Sequence, residues 1–144
     1  MNVNIRDAML SDVPGIYAVD YMAAEEVSRR QQIQDWVASG EGIVAVVDDL
    51  VTGYAALEYT FFGCGFIAMV MVKKESRRSG IATALITRLE QTCKTEKLFT
   101  STNESNRSMQ ALLKSMSYEA SGTVYNLDDG DPELFYFKER RRIR

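Results

Sequence analysis

Residues 67–83 read Ile67-Ala68-Met69-Val70-Met71-Val72-Lys73-Lys74-Glu75-Ser76-Arg77-Arg78-Ser79-Gly80-Ile81-Ala82-Thr83. An unbroken apolar run from Ile67 to Val72 is the pattern of a strand covered on both faces. The basic, small-residue loop after it leads into Ile81, Leu85, Leu89 and Cys93, spaced four apart as on one face of a helix. A helix start exposes unpaired backbone N–H groups and the positive end of the helix dipole, here beside Arg77 and Arg78. Such a start suits a phosphate or pyrophosphate, and Ser79, Gly80 and Ala82 are small enough to let an anion reach the main chain. An ordinary glycine turn with solvated arginines is the alternative. The stretch lacks the Gly-Lys-Ser/Thr ending of a Walker loop and the glycine triplet of the dinucleotide-binding turn.

Towards the N-terminus, Phe66 to Val72 is preceded by a Gly63-Cys64-Gly65 turn and by Thr52 to Phe62, of strand composition throughout. Ile43 to Val47 forms the other arm of a hairpin closed by Asp48 and Asp49. A helix over Glu25 to Ala38 is anchored by Ile33, Trp36 and Val37 and closed by Gly40. A shorter one starts at Ser11 as N-cap, with Val13, Ile16 and Tyr17 as its apolar face, and Val3 to Ala8 alternates as a strand. Towards the C-terminus come a short strand at Lys97 to Thr100 and an amphipathic helix marked by Met109, Leu112, Leu113 and Met116. Strands at Tyr118 to Leu127 and Glu133 to Lys138 close the chain around the acidic turn at Asp128 to Pro132. This order predicts an α/β (α+β) fold: one mixed, mostly antiparallel sheet of about seven strands flanked by about four helices, in a single domain over residues 1–144.

The 144 residues are 46% hydrophobic with two prolines, enough for a globular core without disulfide or metal staples. No apolar run reaches the length of a membrane span, and the first residues have no signal-peptide character, so the expected location is the cytoplasm. Histidine is absent and the two cysteines, Cys64 and Cys93, stand far apart, which excludes the common zinc sites and Ser-His or Cys-His nucleophiles. No metal site is expected. The tail over residues 138–144 carries five basic residues and one acid, so the net charge of −3 leaves −7 on the body. An acidic body argues against nucleic acid and for a cationic partner. The tail arginines Arg140, Arg141, Arg142 and Arg144 keep a nucleic-acid or membrane contact as a lesser alternative.

Arg77, Gly80 and Ala82 match the Gln/Arg-x-x-Gly-x-Gly/Ala signature at a strand-to-helix junction, and in this the sequence resembles the GNAT superfamily of acetyl-CoA-dependent N-acetyltransferases. The resemblance extends over about residues 3 to 138: Gly53 stands early in the preceding strand, Val70 and Val72 precede Arg77 at the family spacing, and Asn106 stands eleven residues before Ser117. It implies acetyl transfer from acetyl-CoA to a primary amine by direct attack in a ternary complex. The main chain of Arg78, Ser79, Gly80, Ile81, Ala82 and Thr83, with Arg77 beside it, would hold the pyrophosphate. Val70 and Val72 would pair with the pantetheine arm as an added strand does, and Asn106 would bond or orient that arm, or simply cap its helix.

Amine acetylation also needs a base, because an alkyl ammonium with a pKa of about 10.4 is mostly charged at neutral pH. Glu58, late in the neighbouring strand, is the candidate catalytic base, with a solvated edge residue as the alternative. Where the family often carries a tyrosine as the thiolate's acid, this chain has Leu113; Tyr118, Tyr136 or solvent would take that part. The departure opens a second reading, a CoA-binding regulatory or interaction module with little or no turnover. Asp20, Glu25, Glu26, Asp128, Asp129, Asp131 and Glu133 lie where the family shapes its acceptor site and favour a cationic amine, or form a solvated acidic surface. A homodimer fits the family as well as a monomer does.

Overall fold

The computed structural model describes residues 2–140. The chain runs β1 (Asn4–Asp7), α1 (Val13–Val19), α2 (Val27–Ser39), β2 (Gly42–Val47), β3 (Leu50–Phe61), β4 (Cys64–Val72), α3 (Ile81–Thr92), β5 (Lys97–Asn103), α4 (Arg107–Ser115), β6 (Glu119–Val124) and β7 (Glu133–Glu139). The strands form one sheet ordered β1-β2-β3-β4-β5-β7-β6. Pairing is parallel at β4–β5 and antiparallel at β1–β2, β2–β3, β5–β7 and β6–β7. This is the mixed, mostly antiparallel seven-stranded sheet with four helices that the residue pattern predicts. No described helix is long and apolar enough to cross a membrane, and no described group of carboxylates and cysteines has the makings of a metal site. Arg141, Arg142 and Arg144 of the basic tail lie outside the described residues.

Local chemistry moves several boundaries. The β3–β4 turn is Phe62–Gly63, so β4 starts at Cys64, and β6 stops at Val124 instead of reaching Leu127. Ser11 is no N-cap: it sits in a 3-10 turn over Leu10–Asp12, and Asp12 holds the N-cap position of α1 without a side-chain cap bond, its carboxylate closing the 3-10 turn instead. The Asp12 carboxylate accepts from the Met9 N–H at 2.7 Å and from both Arg6 guanidinium nitrogens at 2.7 and 2.9 Å.

The fold has two compact units, one formed by residues up to Leu57 with Met69–Gln91, the other by Glu58–Ala68 with the residues from Thr92 onward. In the first, Ile33, Trp36 and Val37 of α2 are buried at helical spacing, each contributing about 1.5–3 kcal/mol of transfer free energy. Gly40 ends α2 in the left-handed conformation at φ +79°. Trp36 lies 6.3 Å from the Tyr54 ring of β3, and the Tyr54 hydroxyl donates to Asp20 at 2.5 Å. Asp20 is fully buried, ion-paired with Arg29 of α2 at 2.8 Å, and accepts from the Met22 N–H. Burial, reinforced by the Asp20 charge, raises the Tyr54 phenol far above its ordinary range, so Tyr54 is a permanent donor. For Arg29 burial opposes the charge, but the hydrogen bond and attraction of Asp20 prevail and its pKa is raised.

In the second unit β5 pairs with β7 along its whole length, from Lys97↔Glu139 to Asn103↔Glu133. Leu98, Thr100 and Thr102 are buried on one face of β5. On that same face the Cβ direction of Gly65 meets Cys93 and Leu98. The Arg140 guanidinium donates to the Cys93 and Thr95 carbonyls at 2.5 and 2.7 Å, tying the start of the segment before β5 to the end of β7. The Lys94 N–H donates to the Tyr59 hydroxyl at 3.0 Å, and burial pushes the Tyr59 phenol up.

Two outcomes are expected in denaturant titrations. Arg29→Met, which leaves the Asp20 charge buried without its cation, costs about 3–5 kcal/mol, whereas Tyr54→Phe costs only about 1–3 kcal/mol. The Arg6 hydrogen bond holds the Asp12 carboxyl below its ordinary 3.8, aided by the Met9 N–H and opposed by burial. That stabilisation is complete above the unfolded value and is lost as pH falls through the folded one. Asp12→Asn therefore flattens the acid limb of the stability curve, read from melting temperatures across that range.

Candidate functional site

The first unit contains the strand-loop-helix segment. At the end of β4 the Lys73 N–H donates to the Thr52 carbonyl of β3 at 2.7 Å, and Lys74–Ser76 make one 3-10 turn. The Arg77 Nε turns back to the Val72 carbonyl at 3.2 Å, a tie that anchors the loop to its own strand. The Ser79 hydroxyl donates to the Ser76 carbonyl. Arg78, at φ +64°, and Gly80, at φ +83°, are both left-handed. This conformation is uncommon for a side-chain-bearing residue such as Arg78.

The first bond into α3 runs from the Ala84 N–H to the Gly80 carbonyl at 3.0 Å. The N–H groups of Gly80, Ile81, Ala82 and Thr83 therefore precede the helical ladder and have no acceptor among the described residues. A Cβ placed on Gly80 meets nothing within 4 Å, so the space at this helix start is open. The seat of α3 is set by Gly53: a Cβ there would lie 3.1 Å from the Met71 carbonyl and 3.2 Å from both Ile81 and Leu85. A side chain at this position would make the Met71 carbonyl, Ile81 and Leu85 give way by a few tenths of an ångström, so glycine suits this close approach of helix and strand. Val72 is buried and Val70 half-buried.

In the second unit the parallel β4–β5 ladder covers only Gly65↔Leu98, Phe66↔Phe99 and Ile67↔Thr100. At its last pair the Thr100 hydroxyl donates to the Ile67 carbonyl at 2.9 Å. A side chain thus satisfies the strand edge where the ladder stops, and β4 continues from Ala68 to Val72 beyond the last registered pair. Sequence reading passed over Thr100; a buried hydroxyl in so short an apolar strand was the available signal.

Asn106 is the N-cap of α4, its side-chain oxygen accepting from the Met109 N–H at 3.2 Å and the Ser108 hydroxyl at 3.1 Å. The Asn106 amide nitrogen has no partner among the described residues. Glu58 is half-buried on β3. Leu113 is core, 1% exposed, and Tyr118 is buried with the Lys138 ammonium 5.4 Å from its ring centre. Gln110, Lys114, Tyr118, Glu119 and Tyr136 line an open groove along α4.

The acids divide by role. Asp20 is spent on Arg29 and Tyr54 and presents no charge to solvent. Asp131 accepts from the Ser105 N–H and hydroxyl at 3.0 and 2.6 Å, and Asp128 accepts from Asn103 at 3.0 Å. The acidic turn is therefore a clasp on the β5–α4 junction. Glu25 and Glu26 remain exposed.

The first unit thus offers a helix start whose four N–H groups have no acceptor among the described residues, a frame suited to an anionic ligand, and the strands form a mixed sheet with a parallel pair at β4–β5. The model of the GNAT acetyltransferase family matches residues 10–118, and the chain belongs to that family. Among solved structures it is similar to a GNAT-family acetyltransferase from Bacillus cereus, with 32% identity and a TM-score of 0.92 over 99% of this chain and 100% of that one. A ribosomal-protein-alanine N-acetyltransferase from Brucella melitensis shares 24% identity at a TM-score of 0.78, over 94% and 99% of the two chains. A protein from Salmonella typhimurium solved with its cofactor acetyl-CoA shares 17% identity at 0.80, over 100% and 97%. No curated protein is a significant match.

Replacing Thr100 by Val keeps the shape but leaves the Ile67 carbonyl without its donor. The expected loss is about 1–3 kcal/mol, measured by denaturant titration, with faster amide exchange concentrated in β4 and β5.

Proposed function

We propose that the chain is an N-acetyltransferase that moves an acetyl group from acetyl-CoA to a primary amine by direct attack in a ternary complex, and that residues 1–144 act as one domain in the cytoplasm. The observation that carries this reading is the α3 start, where four N–H groups have no acceptor among the described residues, Gly80 leaves open space and Arg78 stands exposed. Such a cradle fits a pyrophosphate, and family membership supports acetyl-CoA as its source. Two unpaired cysteines, Cys64 and Cys93, suit a reducing compartment.

Acetyl-CoA supplies an acetyl group activated as a thioester. The residues of this chain bind, orient and move protons. Main-chain N–H groups of Arg78 to Thr83 hold the phosphates, with the Arg77 side chain fixing the loop rather than reaching outward. The β4 main chain at Val70 and Val72, beyond the last β5 partner, pairs with the pantetheine arm and offers a fixed N–H to the thioester carbonyl, where negative charge develops. Asn106 orients the arm through its amide nitrogen, its oxygen being used in the helix cap. Glu58 accepts the ammonium proton directly or through water. Of the acids first offered to a cationic acceptor, Glu25 and Glu26 still suit one.

The burial of Leu113 favours one competing reading. With no phenol at that place, the chain would be a weak or inactive CoA-binding module. Calorimetric titration with acetyl-CoA followed by thiol release across primary amines separates the two. We expect micromolar binding and amine-dependent thiol release; binding without release leaves the module, and no binding removes both. Gly80→Val should weaken acetyl-CoA binding at least roughly tenfold while destabilising the fold by only about 1–2 kcal/mol. Glu58→Gln should lower kcat/KM by roughly 10²–10⁴ and abolish its acid limb; an unchanged pH profile clears Glu58 of the base role.

A further inference from the structure

The face of the second unit opposite α4 is apolar where a solvent-facing sheet is normally polar. The alternation that buries Leu98, Thr100 and Thr102 puts Lys97, Phe99, Ser101 and Asn103 on this face, and the β5–β7 register adds Glu139, Phe137, Phe135 and Glu133. Phe61 lies over it, 5.0 Å from Phe66, 5.1 Å from Phe99 and stacked on Phe135 at 5.6 Å; Phe99 is 5.6 Å from Phe137. All five rings remain half-exposed. Beside them Phe62, 90% exposed, occupies the β3–β4 turn at φ +53°. Left-handed turn positions favour Gly, Asn or Asp, and a bulky aromatic there is strained. Among the described residues, its only aromatic contact is an edge-on approach to Phe61 at 5.1 Å.

We propose that two copies of the chain associate through this phenylalanine face. The β5–β7 register makes the surface complementary to itself. A two-fold axis running along the strands between β5 and β7 carries each β5 residue onto its own β7 partner's position. Phe99 then faces Phe137 of the partner subunit, and Lys97 faces Glu139 of the partner subunit. Because Lys97 and Glu139 are also neighbours within one chain, the four charges form an alternating square in which every neighbour is of opposite sign. The same axis lays β4, with its protruding hairpin, across the partner's β6, where Gly122 offers no side chain and every residue is exposed. Bulk meets gap, and base meets acid. A nucleic acid or an anionic membrane finds no excess of positive charge on this face.

Sedimentation velocity on the full chain over a concentration series tests the proposal. The expected species has twice the 16.2 kDa of one chain and persists at high salt, because most of the contact is aromatic. Phe62→Glu, at a site too exposed to harm folding, should weaken association at least roughly tenfold. Lys97→Glu should weaken it as well, and Lys97→Glu combined with Glu139→Lys should restore it. A monomer at every concentration overturns the proposal; so does a dimer that neither Phe62→Glu nor Lys97→Glu disturbs.

Discussion

The approach of α3 to β3 at Gly53 governs the candidate site. With the Met71 carbonyl, Ile81 and Leu85 all crowding the space of an absent Cβ, the first turn of α3 is held directly against β3, the strand before the one that leads into its loop. The loop is then short and heavily tied: Lys73 to Thr52, Arg77 to Val72, Ser79 to Ser76. These ties consume carbonyls and side chains while leaving the N–H groups of residues 80–83 without acceptors among the described residues. Donors fixed in this way need little reordering when an anion arrives, so more of the interaction appears as affinity.

A second constraint acts on the strands. A parallel ladder that continued along β4 would consume the main-chain groups on its edge; here it ends after three pairs, with the Thr100 hydroxyl completing the last one. Termination by a side chain gives the edge a defined end without a proline or a bulge. The helix start and the open strand edge are thus made by different devices, packing in one case and hydrogen bonding in the other.

Much of this was legible in the sequence because it rests on local pattern. Apolar runs and helical spacing locate the strands and helices, and Gly80 with small neighbours after basic residues marks the helix start. What escaped depends on partners distant in sequence. Asp20 reads as an acceptor carboxylate until Tyr54, thirty-four residues away, and Arg29 close over it. Asp128 and Asp131 read as a solvated acidic turn, yet they clasp Asn103 and Ser105. Asn106 fits a ligand and a helix cap equally well by residue type, and its oxygen proves to be the cap. The Phe62–Gly63 turn was hidden because a phenylalanine in a left-handed position contradicts the usual turn chemistry.

The central claim is that the α3 start of this GNAT-family chain is an anion cradle made of main chain. It is tested most directly by recording the backbone amide resonances of Gly80, Ile81, Ala82 and Thr83 while acetyl-CoA is added. The account requires these four to move first and furthest, together with Arg78 and Ser79, and to return when the ligand is dialysed away. Amides that stay unmoved while acetyl-CoA binds elsewhere on the chain would contradict it.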